Sequence, residues 1–128
     1  MANSDIPLTE IPGYAEVAEA VAGRSLLHFI DVVSFCFCQE AEHPHEGRWP
    51  SIELVMKERV APHRKIGFRF YGVRDVQFSG WTSIVGLYFQ SIKDRGWVDT
   101  RFEVGDYENG CIHLFCYDIS VFDPERAI

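Results

Sequence analysis

No apolar run in this 128-residue chain approaches the roughly 20 residues that a helix needs to cross a bilayer. The first ten residues hold Asp5 and Glu10 and lack the basic start and apolar stretch of a secretory leader, so the expected address is the cytoplasm, with no membrane partner. Also missing are a Gly-x-Ser-x-Gly elbow, a phosphate-cradling glycine loop and a His-Glu-x-x-His helix. Their absence removes the commonest sequence signatures of serine hydrolases, nucleotide-binding enzymes and zinc proteases, and the chain is read as a non-enzyme with no catalytic residues and no cofactor. There is no internal repeat and no low-complexity segment.

Cysteine is sparse, with four residues. Cys36 and Cys38 lie two apart on an expected strand, splayed side by side and poorly placed to bond each other, so free thiols are expected. Bases are also in short supply: 12 Lys and Arg face 19 Asp and Glu, a net charge of −7. The imbalance is segregated. Residues 1–47 hold eight acids and one base, 48–74 two acids and seven bases, and 75–128 nine acids and four bases. An acidic chain disfavours nucleic acid as the main partner and suits a basic protein, through complementarity and steering.

What is present is a core. The sequence is 47% apolar and 14% aromatic, and its length fits one domain, 1–128, able to bury about two thirds of its unfolded surface. Residues 1–12, with Pro7 and Pro12, read as an extended lead-in. Tyr14, Val17, Ala18 and Val21 recur at i, i+3, i+4, i+7 and predict a short helix over 14–22 lying on a sheet. Leu26 to Cys38 is β-branched and aromatic, a long strand with so few polar residues that both sides should be covered. Gln39 to Pro50 reads as a polar connecting loop. Alternation then gives strands near Ile52–Arg59, Phe68–Phe70, Val76–Phe78 and Ser83–Lys93, the last also open to a helical reading.

Asn109-Gly110 is the signal for a two-residue type I′ hairpin turn. It sets Glu108 opposite Cys111, and counting outward pairs Val104 with Phe115, Phe102 with Tyr117, Thr100 with Ile119 and Val98 with Val121 on one apolar face. Asp99, Arg101, Glu103, Cys116, Asp118 and Ser120 fall on the other, with Arg101 opposite Asp118 and Asp106 opposite His113. The expected fold is mostly β (α+β): one antiparallel meander of about six strands with a short N-terminal helix packed on it.

Three groups of residues could carry function. Glu40, Glu42 and Glu46, with Trp49 as an aromatic anchor, suit the steering of a basic protein partner. His43 and His45 among those acids, or Cys36 and Cys38 facing Cys111 and His113, offer the ligand types of a divalent metal, against the plainer readings of a solvated loop and of buried small hydrophobes. In Lys57 to Arg74, alternation turns Phe68 and Phe70 toward the core and Arg69 outward, which separates the bases from the aromatics and weakens a single-strand-binding reading.

The order of LHFIDVVSF, then IGFRFYGVRDVQFSGW with Gly72-Val73-Arg74-Asp75 between two strands, then a long final hairpin ending in CYDISV, resembles the Imm50 family of immunity proteins of bacterial polymorphic toxin systems, over about Leu27 to Phe122. Leu27-His28-Phe29 keeps the histidine of that pattern and departs from it by placing Phe where an acid is expected. The resemblance implies a mostly β, cytoplasmic, single-domain protein that binds and neutralises a cognate toxin without catalysis. It carries over no binding residue.

Overall fold

The computed structural model describes residues 6–21, 28–42, 47–79, 83–93, 96, 100–107 and 110–125. A 3-10 turn at Leu8–Glu10 leads into α1 (Tyr14–Val21). Eight strands follow: β1 (Phe29–Glu42), β2 (Arg48–Glu58), β3 (Lys65–Tyr71), β4 (Arg74–Phe78), β5 (Leu87–Ser91), β6 (Phe102–Asp106), β7 (Ile112–Cys116) and β8 (Asp118–Phe122). The mostly β, antiparallel class and the N-terminal helix agree with the sequence reading. The single meander of about six strands does not, because the strands divide into two four-stranded antiparallel sheets ordered β1-β2-β3-β8 and β4-β7-β6-β5.

The division follows from the amount of apolar surface to be covered. β2 and β3 turn Ile52, Leu54, Met56, Phe68 and Phe70 to one side, and one eight-residue helix, which reaches only β3 and β8 among the strands it packs on most, cannot cover that area. The second sheet supplies the other wall with Phe89, Val104, Ile112 and Leu114. Phe89 lies 5.5 Å from Phe68 and 6.3 Å from Phe70, ring centre to ring centre, between the layers. α1 adds Val17 and Val21 to the same core.

The final hairpin differs from its expected register by one residue. β6 and β7 pair Val104 with Leu114 and Phe102 with Cys116, not Val104 with Phe115. Leu114 and Cys116 are therefore buried, while Phe102 and Phe115 are only partly covered. The cause lies at the mouth of the turn. The Asp106 carboxylate accepts the Ile112 N–H at 2.9 Å, and Tyr107 donates its N–H to the Gly86 carbonyl at 3.1 Å instead of pairing across the hairpin. Five residues, 107–111, thus connect the strands; Gly110 keeps the positive φ expected of it, +61°. Asn109 and Val98 lie outside the described residues, as does Asp99.

Beyond Cys116 the chain changes sheets. Tyr117 donates its N–H to the Tyr71 carbonyl and β8 runs beside β3, pairing Tyr71 with Asp118 and Phe70 with Ile119. Asp118 is consequently set across from Tyr71 and not from Arg101. The crossing reverses the alternation once, so Ile119 and Val121 point inward as expected although Phe115 does not.

β1 departs in two ways. It runs on to Glu42, and β2 begins at Arg48, so most of the expected loop 39–50 is a strand hairpin, an arm that continues past the end of β3. Both sides of β1 are not covered either: it is the edge of its sheet, with Val33 44% and Phe37 60% exposed. Three one-residue register shifts against β2 bend it along its length.

Candidate functional site

Of the acids singled out in the sequence, Glu40 and Glu42 fall on the first strand of the arm. Glu40 is exposed on β1 and Glu42 closes the described part of that strand opposite Arg48. Glu46, His43 and His45 lie outside the described residues. Trp49 is at the base of the arm, half-buried, with its ring stacked on Tyr117 (4.9 Å, 2° between planes) and its edge against Gly72. Gly72 is required there: its φ is +68°, and a Cβ would stand 2.9 Å from both Trp49 and the Tyr117 side chain. Trp49 thus anchors the arm to the strand crossing at Tyr117, and its ring face is committed within the chain.

The two halves of the thiol–imidazole constellation are not brought together. Phe35 packs toward the core, which by alternation turns Cys36 and Cys38 to the outer face of the first sheet, where both are exposed. His113 alternates with buried Ile112 and Leu114 and faces outward from the second sheet, with Cys111 partly buried beside it in sequence. The body of the sandwich separates the pairs. Among the described residues no group of three or more His, Cys, Asp or Glu is placed to hold a metal ion.

The expected Asp106–His113 pair is replaced by another, through the one-residue slip. Gly105 stands opposite His113 and has no side chain to offer, so Nε2 of His113 reaches diagonally to Oε2 of Glu103 at 2.6 Å. The imidazole also meets Phe115 edge-on at 5.0 Å. The Tyr88 ring lies over Gly105, where an added Cβ would come within 2.5 Å of its hydroxyl. These groups form a compact polar and aromatic patch on an outer sheet face.

The first sheet presents its own outer face. Its cross-strand rows are Cys36–Glu53–Arg69–Ser120 and Cys38–Ser51–Tyr71–Asp118. A depression of about 340 Å³ opens between the two thiols, Ser51, Glu53, Arg69 and Tyr71. Arg69 donates through Nε to Glu53 Oε2 at 3.1 Å and lies 4.1 Å above the Phe122 ring, which in turn fills the space over Gly67. Arg69 points outward while Phe68 and Phe70 are buried, so base and aromatics separate as alternation predicts. The fourth cysteine is chemically quiet: burial, with the Asp118 carboxylate adding to it, pushes the Cys116 thiol well above its ordinary range and keeps it protonated.

Sequence reasoning missed the exposure of Phe37 and Val33 and the depression over Ser51 and Tyr71. The run Ser34 to Cys38 has the composition of a covered strand, and only the order of strands in the sheet reveals it as an edge. No helix of the described residues is long and apolar enough to cross a membrane. No family model matches the chain, and neither a curated protein nor a solved structure matches it.

Proposed function

We propose that this chain is a non-catalytic binding protein for a basic protein partner and, in the role implied by its Imm50-like residue order, a cytoplasmic immunity protein that neutralises a cognate toxin. One observation carries the reading: an exposed strand arm joins uncovered apolar side chains, Val33 and Phe37, to a segment, residues 32–47, with three acids and no Lys or Arg. Apolar contact supplies affinity in such a pairing, and the surrounding charge of one sign supplies steering and choice of partner. The test is co-expression with the product of the adjacent upstream gene. That product alone should stop growth, the present chain should restore it, and the two should copurify as a complex. Replacing Glu40, Glu42 and Glu46 together by lysine should slow association and flatten its salt dependence while leaving thermal unfolding unchanged. A neighbouring product that is harmless, or that fails to bind, overturns the reading.

A second reading, a small-ligand or metal-binding β domain, draws support from the 340 Å³ depression with its two exposed thiols beside Arg69 and Glu53. Metal analysis of the purified protein, with Cys36→Ser and Cys38→Ser as controls, separates it from the first. Stoichiometric metal lost in those variants would favour it.

A further inference from the structure

The four edge strands of the sandwich are not treated alike. β8 is covered by the N-terminal segment, with the Val121 N–H donated to the Pro12 carbonyl and α1 packed alongside. β5 is covered by the same segment, with the Ile6 N–H donated to the Phe89 carbonyl. β4 is five residues long and its pairing with β7 breaks between Arg74 and Gln77, where Asp75 has a positive φ. A short, kinked strand is a poor template for further pairing. β1 is different. Its start is covered, by the bridge of Asp31 to Ser83 and the bond from the Ile84 N–H to the Ile30 carbonyl, but beyond that no described strand lies on the side away from β2.

From Ser34 to Cys38 β1 keeps an unbroken register with β2, so this part of the edge is regular. Its sequence, Ser-Phe-Cys-Phe-Cys, holds no Lys, no Pro and no charge, the residues by which proteins ordinarily guard an edge. Phe37 stands 60% exposed within it. A second copy of the chain is a poor occupant, because the exposed Glu40 of each copy and the −7 that each molecule carries would oppose one another across the junction. A segment rich in Lys or Arg meets the same charge favourably.

We propose that the outer edge of β1, from Ser34 to Ala41, is the docking site, and that it takes up an extended segment of a basic protein as an added antiparallel or parallel strand. Main-chain hydrogen bonds along Ser34–Cys38 supply the pairing, Phe37 supplies the apolar cross-strand contact, and Glu40 with the rest of the arm selects a basic sequence. This inference rests on the reading given under Proposed function and specifies the surface and the mode of contact.

The test uses the full chain and the purified product of the adjacent upstream gene. In the wild-type complex, hydrogen exchange should slow at amides within 34–41. Phe37→Lys should raise Kd at least about tenfold, as expected where a central apolar contact is replaced by a charge that repels the partner. Glu40→Lys should act mainly on the association rate and lose its effect at high salt. Both side chains are exposed, so both variants should unfold at the parent temperature. Tight binding by the wild type with unchanged exchange at 34–41, or undiminished binding by Phe37→Lys, overturns the edge as the site and leaves the immunity reading intact. No binding by the wild type overturns both. A wild-type dimer that Phe37→Lys dissociates, with exchange at 34–41 slowed by self-association, would give the edge to a second copy and overturn the proposal.

Discussion

The one-residue difference in the β6–β7 register makes a discriminating experiment of two adjacent residues. In the observed pairing Leu114 is fully buried opposite Val104, whereas Phe115 is half-buried on the outer face opposite Glu103. Leu114→Ala removes three carbons from a site with no solvent access. At about 0.8 kcal/mol for each buried methylene the transfer loss is about 2.4 kcal/mol. The rigid walls formed by the two sheets leave a void that adds about 1 kcal/mol or more, for a total of about 3–4 kcal/mol. Phe115→Ala removes more carbon but vacates partly solvated space and an edge contact with His113, for about 1–1.5 kcal/mol. Urea unfolding at one temperature, fitted with a common m-value, measures both. A register set by a two-residue Asn-Gly turn would invert the order, so a larger loss for Phe115→Ala than for Leu114→Ala would refute the pairing.

The cysteines should divide by accessibility under native conditions: Cys36 and Cys38 label fast, Cys111 more slowly and Cys116 only on unfolding, with all four reactive in denaturant. Native Cys116 binds its proton more tightly than the unfolded thiol does. Its contribution to stability is therefore complete below the ordinary value of 9.0 and declines as pH rises above it; Cys116→Ala should lessen the fall in unfolding temperature between pH 8.5 and 10. Gly13 has φ +91° and a Cβ placed on it would run into the Val121 carbonyl oxygen, so Gly13→Ala should cost about 2 kcal/mol or more and release the N-terminal segment, read as faster exchange at Val121. Equal exchange at Val121 in parent and variant would show that this contact does not hold the segment.

Local pattern carried the strands that alternate cleanly. Phe68 and Phe70 around Arg69, Leu87 and Phe89 around Tyr88, and the 14–21 helix are all legible because one face is apolar and the other is not. It failed where the deciding interaction is between elements. The turn dipeptide Asn109-Gly110 specifies a tight loop if the strand ends are free, but Tyr107 is held by Gly86 and its ring lies tilted against that of Tyr88, centres 4.8 Å apart, and these contacts from another part of the chain lengthen the loop and slip the register. The change of sheet at Tyr117 likewise depends on Tyr71 and Trp49, 46 and 68 residues away. The candidate site was half visible. Its acids and thiols could be read directly, while the exposure of Phe37 depends on where β1 falls in the sheet order, which no short stretch of sequence encodes.

That position has an energetic consequence. An edge strand exposes one row of backbone groups to water, which satisfies them, so leaving β1 uncovered costs little in hydrogen bonding. The cost lies in the uncovered Phe37 and Val33, whose apolar area gains nothing from folding and invites unwanted pairing. The chain covers β5 and β8 with the same short N-terminal segment and keeps β4 short, yet among the described residues no strand lies along the outer edge of β1 past its start, and no guarding charge falls between Ser34 and Cys38. Folding alone does not require that asymmetry, since a Lys at Phe37 would satisfy the observed sheet equally well. The exposed acid that follows at Glu40 deters another acidic chain by repulsion and leaves the edge accessible to a basic one. The same residues therefore limit self-association and admit a partner, which is why the Phe37→Lys variant should be as stable as the parent while differing from it in what it binds.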